Sequence, residues 1–275
     1  MPRTIVFLHG AWVTPACWER ILPWFEARGY RCLAPAWPGK DRSVEEIRRD
    51  PSPLKGLGIG EIVDHYEGVV RGLDEPPILV GHSFGGLFTQ ILLDRGLGAA
   101  GVAIDPAPPR GVWPFEPTAF RSLFGALTRY MLGQRVVRWA FGSFRYAFVH
   151  LLPFDEARAA YDRHVTPETG RIFFQSALAP LNPGSPTTVN FRNGTRAPLL
   201  IIAGGSDRIV PPVINRRNHR AYAKSAARTD FREFPGRTHW IIAQDGWEEV
   251  AEHMAGWLSE LGLGRTPGDT TGVPG

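Results

Sequence analysis

Lysine is nearly missing from this chain: Lys40, Lys55 and Lys224 stand against 28 arginines among 275 residues. The 31 basic and 27 acidic residues leave a formal net charge of only +4, so the pI of about 9.3 reports arginine usage and not a basic block. A nucleic-acid surface needs its charge gathered on one face with aromatic rings among the bases. The densest basic run, Arg216, Arg217, Arg220, Lys224, Arg228, Arg232 and Arg237, is interrupted by Asp230 and Glu233 and has few rings. It reads as a solvated helix and its exit, and no nucleic-acid partner is expected. Heavy use of arginine, alanine, glycine and proline also points to a GC-rich bacterial genome.

Cysteine is equally scarce. Cys17 and Cys32 cannot build a disulfide framework, and a chain of this size buries enough core without one. A reducing, cytoplasmic setting fits. Long apolar runs are also missing: Pro198 to Gly205 and Ala99 to Ile104 fall far below the roughly 18 to 20 residues of a membrane span, so none is expected. Ile5 to Leu8 is shorter than the roughly 7 residues of a signal-peptide apolar region and reads better as a first buried strand. The Asn193-Gly194-Thr195 sequon is a frequent chance match and carries no weight. What is present, 43% hydrophobic and 21% charged residues, excludes disorder, collagen and coiled coil and leaves one large or two small globular domains.

Short apolar runs bounded by Gly, Pro and Asp alternate with segments of helical period, the pattern of a mostly parallel sheet wrapped by helices. The candidate strands are Ile5 to Leu8, Cys32 to Ala34, Ile78 to Val80, Val102 to Ile104, Leu199 to Ala203 and Asp230 to Phe234. Ile59, Ile62, Val63, Tyr66, Val69, Val70 and Leu73 recur at spacings of three and four, predicting a helix packed on the sheet; Phe84 to Arg95 and Trp247 to Leu261 read the same way. Residues 107–190 break the alternation, with no convincing strand and 14 of the chain's 31 aromatics between Trp113 and Phe174. They read as a helical cap between the core segments 1–106 and 191–262. Its rings are expected partly as ordinary core and partly as the lining of a ligand cavity. Residues 263–275, rich in Gly, Pro and Thr, read as a frayed tail.

Gly81-His82-Ser83-Phe84-Gly85 follows the run Ile78-Leu79-Val80 and opens a helical segment, the strand, sharp turn and helix context of a nucleophile elbow. Serine alone is a weak nucleophile, so a base and an orienting acid are required in the order Ser, acid, His. Asp207 lies in Gly204-Gly205-Ser206-Asp207 just past the strand Leu199 to Ala203, and His239 lies on a loop before the last helix. His239 would take the Ser83 proton while Asp207 fixes the imidazole tautomer. The oxyanion donors expected are the N–H groups of Ala11, in His9-Gly10-Ala11-Trp12, and of Phe84. His9 and His82 read as packing groups. Trp12, Trp113, Phe115 and Trp240 are the candidates for substrate contact.

Through Val6-Phe7-Leu8-His9-Gly10, Gly81-His82-Ser83-Phe84-Gly85-Gly86, Gly205-Ser206-Asp207 and Thr238-His239, the chain resembles the α/β-hydrolase superfamily from Ile5 to Leu261. The resemblance implies an α/β fold with an eight-stranded, mostly parallel sheet, a cap over residues 107–190, and acyl-transfer chemistry without cofactor or metal. Members that open epoxides or remove halides carry Asp at the elbow, where this chain has Ser83. Asp105 is a rival for the acid. Gly56-Leu57-Gly58-Ile59-Gly60 and Gly39-Lys40 lack the context of phosphate loops, and the histidines lack metal-ligand spacing.

The expected activity is serine hydrolysis of a small-molecule carboxylic ester, thioester or lactone with an apolar or aromatic group. Arg110, Arg121, Arg129, Arg135 and Arg138 would admit an acidic substrate if any pointed inward. The alternatives are a hydroxynitrile-lyase-like reaction, which would need a cationic pocket residue, a cofactor-free peroxidase activity on the same triad, or a non-catalytic ligand binder. Monomer and homodimer remain equally open.

Overall fold

The fold is described for residues 3–264 of a computed structural model. The six apolar runs form the six strands of the main sheet: β1 (Thr4–Leu8), β2 (Arg31–Leu33), β3 (Ile78–His82), β4 (Ala100–Ile104), β7 (Leu199–Gly204) and β8 (Thr229–Phe234). All neighbours are parallel, in the order β2-β1-β3-β4-β7-β8. The resemblance implies eight strands; among the described residues the sheet has six, because no further apolar run of the chain joins it. A second, two-stranded antiparallel ribbon, β5 (Val136–Val137) with β6 (Glu168–Thr169), lies within residues 107–190. Two-residue strands leave no alternation to read, which is why the sequence shows none.

Parallel neighbours require crossovers, and the helices supply them. They are α1 (Ile21–Glu26), α2 (Val44–Arg49), α3 (Ile59–Arg71), α4 (Phe84–Asp94), α5 (Pro117–Met131), α6 (Phe141–Ala147), α7 (Phe154–His164), α8 (Arg171–Ala177), α9 (Pro212–Ala221) and α10 (Trp247–Glu260). On α3 the buried residues are Ile59, Ile62, Val63, Tyr66 and Val70, the face that its spacing predicts. The whole of α4 from Phe84 to Leu93 is buried, as suits a helix behind the centre of the sheet. The basic run is dispersed over α9, β8 and the segments around them, and four of its seven charges are paired: Arg216 with Glu233, Arg217 with Glu116, Arg228 with Asp230 and Glu260, and Arg237 with Glu249. Of the 263–275 stretch, Leu263 accepts a hydrogen bond from the Tyr30 hydroxyl at 3.1 Å, and 265–275 lie outside the described residues.

The register aligns the carboxyl ends of the central strands, with Leu8 opposite Gly81, His82 opposite Ile104, Ile104 opposite Ile202 and Gly204 opposite Phe234. The chain leaves β1 toward β2 on one side and returns to β3 on the other. The crevice at such a reversal, beyond the strand ends, is where open α/β sheets hold ligands.

The turn from β3 into α4 is feasible only with glycine at position 85. A Cβ there would fall within the van der Waals envelope of the Leu8 carbonyl oxygen, which is backbone and cannot rotate away. Gly85→Ala is expected to destabilise the protein by more than about 4 kcal/mol, and denaturant unfolding of the purified variant, or its failure to accumulate as soluble protein, checks this.

Candidate active site

Three non-glycine residues have positive φ among the described residues, and all three sit at the carboxyl edge of the sheet: Trp12 at 62°, Ser83 at 57° and Asp105 at 42°. Each such conformation costs about 1–3 kcal/mol and persists only where its surroundings hold it. Ser83 is held by its own peptide groups. Its N–H donates to the Ile104 carbonyl at 2.9 Å, while its carbonyl accepts from Gly86, Leu87 and Ala107 at 3.0, 3.2 and 3.0 Å. The strained turn presents the 5%-exposed Ser83 side chain to a cavity, with the N-terminus of α4 behind it.

Against His82, the residue before Ser83, lies a buried acid–imidazole pair, with the His239 ring 4.7 Å from that of His82. Asp207 Oδ1 accepts from the Ile209 and Val210 N–H groups at 2.7 and 3.0 Å, and Oδ2 meets His239 Nδ1 at 2.5 Å. With Nδ1 turned to a carboxylate, the proton resides there and Nε2 is left as the acceptor. Among the described residues no group bonds that Nε2. The His239 loop is pinned by Gln244 Oε1, which accepts from both the N–H and the hydroxyl of Thr238 at 2.7 Å, and by His82 Nε2, which meets the His239 carbonyl at 2.8 Å.

Asp105 lies deeper in the same cluster, fully buried. Its Oδ1 accepts from the Gly204 N–H at 2.7 Å, and Oδ2 has no partner among the described residues. Burial, then the Asp207 carboxylate beside it, pushes the Asp105 carboxyl well above the ordinary range. Of the two acids, Asp207 is the one whose carboxylate oxygen meets His239, while Asp105 faces the Gly204 N–H. His82, Asp105 and His239 approach within 4.8 Å, but His82 and His239 already meet a backbone carbonyl and Asp207 respectively.

On the other side of Ser83 runs the loop after β1. Gly10 lies so close that a Cβ would stand 2.7 Å from Ser83 Cβ. His9 Nδ1 bonds the Gly10 carbonyl at 2.9 Å, and the Trp37 N–H donates to His9 Nε2 at 3.4 Å. Both histidines are packing groups in this geometry. Burial, reinforced by Lys40, pushes His9 down to about 3, and burial with His239 nearby holds His82 well below the usual range. The Ala11 and Phe84 N–H groups, flanking Ser83, have no acceptor among the described residues.

These suppressed histidines predict acid lability. Burial also pushes His164 down to about 4. Each stays neutral in the folded chain while its unfolded counterpart takes up a proton below about 6.5, so folding stability falls as pH drops toward 4. The slope is about 1.4 kcal/mol per pH unit for each group. The raised Asp105 and Glu168 carboxyls act in the opposite direction over the same range. Thermal unfolding followed at pH 7, 6, 5 and 4.5 is therefore expected to show a net decline smaller than the sum of the three histidines, with His164→Gln flattening it by about one group's share. A flat profile would contradict it.

The cavity in front of Ser83 has an empty volume of about 780 Å³ including its open mouth. Ala11, Trp12, Phe84 and Phe173 form its inner wall, α5 contributes Ala119, Phe120, Leu123 and Leu127, and the segment after Asp207 contributes Ile209 and Val210. Ser83 and Ser176 are the polar side chains among the described lining residues, and none is charged. Of the residues expected to touch substrate, Trp12 and Phe115 line the cavity. Trp113 is 59% exposed and packs edge-on to Phe115 at 4.9 Å. Trp240 is not among the lining residues: its N–H is tied to Thr238 and its ring packs on His164 and Phe148. The rings of residues 107–190 divide between the cavity and the core. Phe115, Phe120 and Phe173 line the cavity, whereas Phe144, Phe148 and Trp139 are buried in the core cluster.

None of the five arginines named above lines the cavity: Arg121 lies on Tyr146, Arg129 bonds the Arg138 carbonyl, Arg135 bonds the Tyr130 hydroxyl and Arg138 bonds the Arg48 carbonyl, while Arg110 has its Nε buried without a partner among the described residues. Lys40 and Glu168, which sequence reasoning left without a role, form a buried ion pair next to Trp12. No sequence signal links them, since 128 positions separate them and neither belongs to a motif.

A sequence profile of the alpha/beta hydrolase family matches residues 5–253, and the chain belongs to that family. No curated protein matches the sequence significantly. Among solved structures it is similar to a Paleococcus ferrophilus monoacylglycerol lipase, at 20% identity and a TM-score of 0.65 over 94% of this chain and 96% of that one. It is also similar to a pyrethroid hydrolase from Sphingobium faniae JZ-2, at 19% identity and a TM-score of 0.64 over 94% and 98%. A polyneuridine aldehyde esterase matches at 14% identity and a TM-score of 0.62 over 94% and 99%. At these identities the likeness establishes the fold. Among the described residues no helix is long and apolar enough to cross a membrane.

Proposed function

We propose that the protein is a serine carboxylic-ester hydrolase for apolar substrates, with Ser83, His239 and Asp207 as its triad. Ser83 Oγ attacks the ester carbonyl as His239 Nε2 takes its proton, and Asp207 stabilises the imidazolium. The Ala11 and Phe84 N–H groups receive the developing oxyanion. His239 then protonates the departing alcohol, and a water activated by the same nitrogen releases the acid from Ser83.

The observation that carries this reading is a strained Ser83 facing an uncharged cavity, with the buried His239–Asp207 pair packed against the adjacent His82. The uncharged lining favours an aliphatic or aromatic acyl or alcohol group over an acidic one, and ester-acting relatives of the same fold are consistent with this. A hydroxynitrile-lyase-type reaction is less well supported, because the one buried lysine, Lys40, is committed to Glu168. The test is a p-nitrophenyl ester series from acetate to laurate, run with Ser83→Ala from pH 5 to 9. The wild type is expected to turn over with activity rising through neutrality and the variant is not. Equal rates for the two proteins would overturn the reading.

The cavity should also set chain length. Leu123→Trp fills space along α5, and since each methylene kept in water forfeits about 0.8 kcal/mol, kcat/KM on the longest esters is expected to fall about 10- to 100-fold. Acetate hydrolysis should change less than about threefold. A uniform loss across the series would mean that α5 does not bound the acyl site.

A further inference from the structure

We propose that the buried Lys40–Glu168 pair is the positioning device of the oxyanion loop, through which the cap holds the Ala11 N–H in place beside Ser83. This rests on the hydrolase reading above. Trp12, the residue after the donor, is held at φ 62°, a conformation that an aromatic residue leaves when it is free to do so. Every polar group of its backbone is tied to the segment from Thr166 to Glu168. The Trp12 N–H donates to Glu168 Oε2 at 3.0 Å and its carbonyl accepts from the Thr166 N–H at 2.8 Å.

Lys40 closes the arrangement. Its Nζ lies 2.7 Å from Glu168 Oε2 and donates to the Val13 carbonyl at 3.1 Å and to Thr166 Oγ1 at 2.9 Å. Glu168 Oε1 accepts from the Thr169 N–H at 2.8 Å. All three ammonium hydrogens and both carboxylate oxygens are thus used, and both side chains are 0% exposed. A buried pair with its remaining bonding capacity filled gives little net stability over an apolar replacement, but it specifies one geometry. Here that geometry is the strained peptide beside the nucleophile.

The same ribbon grips the Trp12 ring. β6 carries Glu168, and β5 leads into Trp139, whose ring stacks on Trp12 at 3.8 Å while Phe173 stacks on the opposite face at 4.3 Å. Trp12 is also a wall of the cavity, so the clamp couples the cap to both the donor and the acyl site.

Two double variants isolate the clamp. Lys40→Met with Glu168→Gln removes both charges yet keeps a side-chain oxygen for the Trp12 N–H, whereas Lys40→Met with Glu168→Leu removes that acceptor at similar volume. Active sites are counted by fluorophosphonate end-point titration, and kcat and KM for p-nitrophenyl butyrate are measured per titrated site. Inhibition by a hexyl trifluoromethyl ketone, which forms a tetrahedral adduct with the serine, is compared with inhibition by the unfluorinated ketone. The Leu variant is expected to lose about 10²-fold in kcat per site relative to the Gln variant, with KM within about threefold. The fluorinated ketone should weaken by a similar factor and its unfluorinated counterpart should not. Equal kcat per site and equal fluorinated-ketone affinity in the two variants would overturn the proposal, leaving the pair a packing element only. A Ser83→Ala protein that still turns over would instead overturn the hydrolase reading beneath it.

Discussion

Ser83→Ala is expected to lose about five to six orders of magnitude in kcat on p-nitrophenyl esters while unfolding within a few degrees of the wild type. Removing the nucleophile of a serine triad abolishes the covalent route, and what remains, about 10³-fold over water, comes from binding and oxyanion donors alone. The fold should be indifferent to the change. Ser83 is anchored through its N–H and carbonyl, its hydroxyl makes no structural bond among the described residues, and alanine meets the same backbone strain as serine. Steady-state kinetics, thermal unfolding and mass-spectrometric mapping of a fluorophosphonate adduct to Ser83 check the three parts together. Residual activity above about 1% of wild type would remove Ser83 from the nucleophile role.

The second large effect separates the two buried acids. Asp207→Asn should lower kcat about 10⁴-fold, because an amide beside His239 Nδ1 no longer enforces the tautomer that leaves Nε2 as acceptor. Asp105→Asn should cost about tenfold or less. Asp105 makes no contact with His239 Nδ1, its carboxyl is pushed well above the ordinary range by burial, and an amide of the same shape still offers an oxygen to the Gly204 N–H. The ratio of kcat values for the two variants reads the assignment directly. If Asp105→Asn is the more damaging, Asp105 and not Asp207 is the acid that orients His239.

How much of this was legible in the residues depends on distance along the chain. The four central strands were readable because a parallel strand buried on both faces is a continuous apolar run. The two edge strands β2 and β8 have fewer buried residues and rest on a few apolar positions, and each of the six lies at its expected place within a residue or two. Ser83 was legible for a different reason. Gly81 and Gly85 are required by contacts within and beside the turn itself, so the elbow leaves a local mark. The two-residue ribbon of β5 and β6 left none.

From its sequence alone, the protein's α/β order, the helix faces that pack on the sheet and the identities of Ser83, Asp207 and His239 as candidates follow, because periodicity and tight turns are encoded within a few residues. Tertiary structure alone decided which acid faces His239, that Trp12 and Phe115 reach the cavity while Trp240 does not, that no arginine lines that cavity, and that Lys40 meets Glu168 against the Trp12 peptide. Those outcomes depend on groups brought together across as many as 157 positions by the packing of the loops after the strands and of residues 107–190 against the sheet, and desolvation and hydrogen-bond satisfaction at such a junction have no counterpart in local sequence.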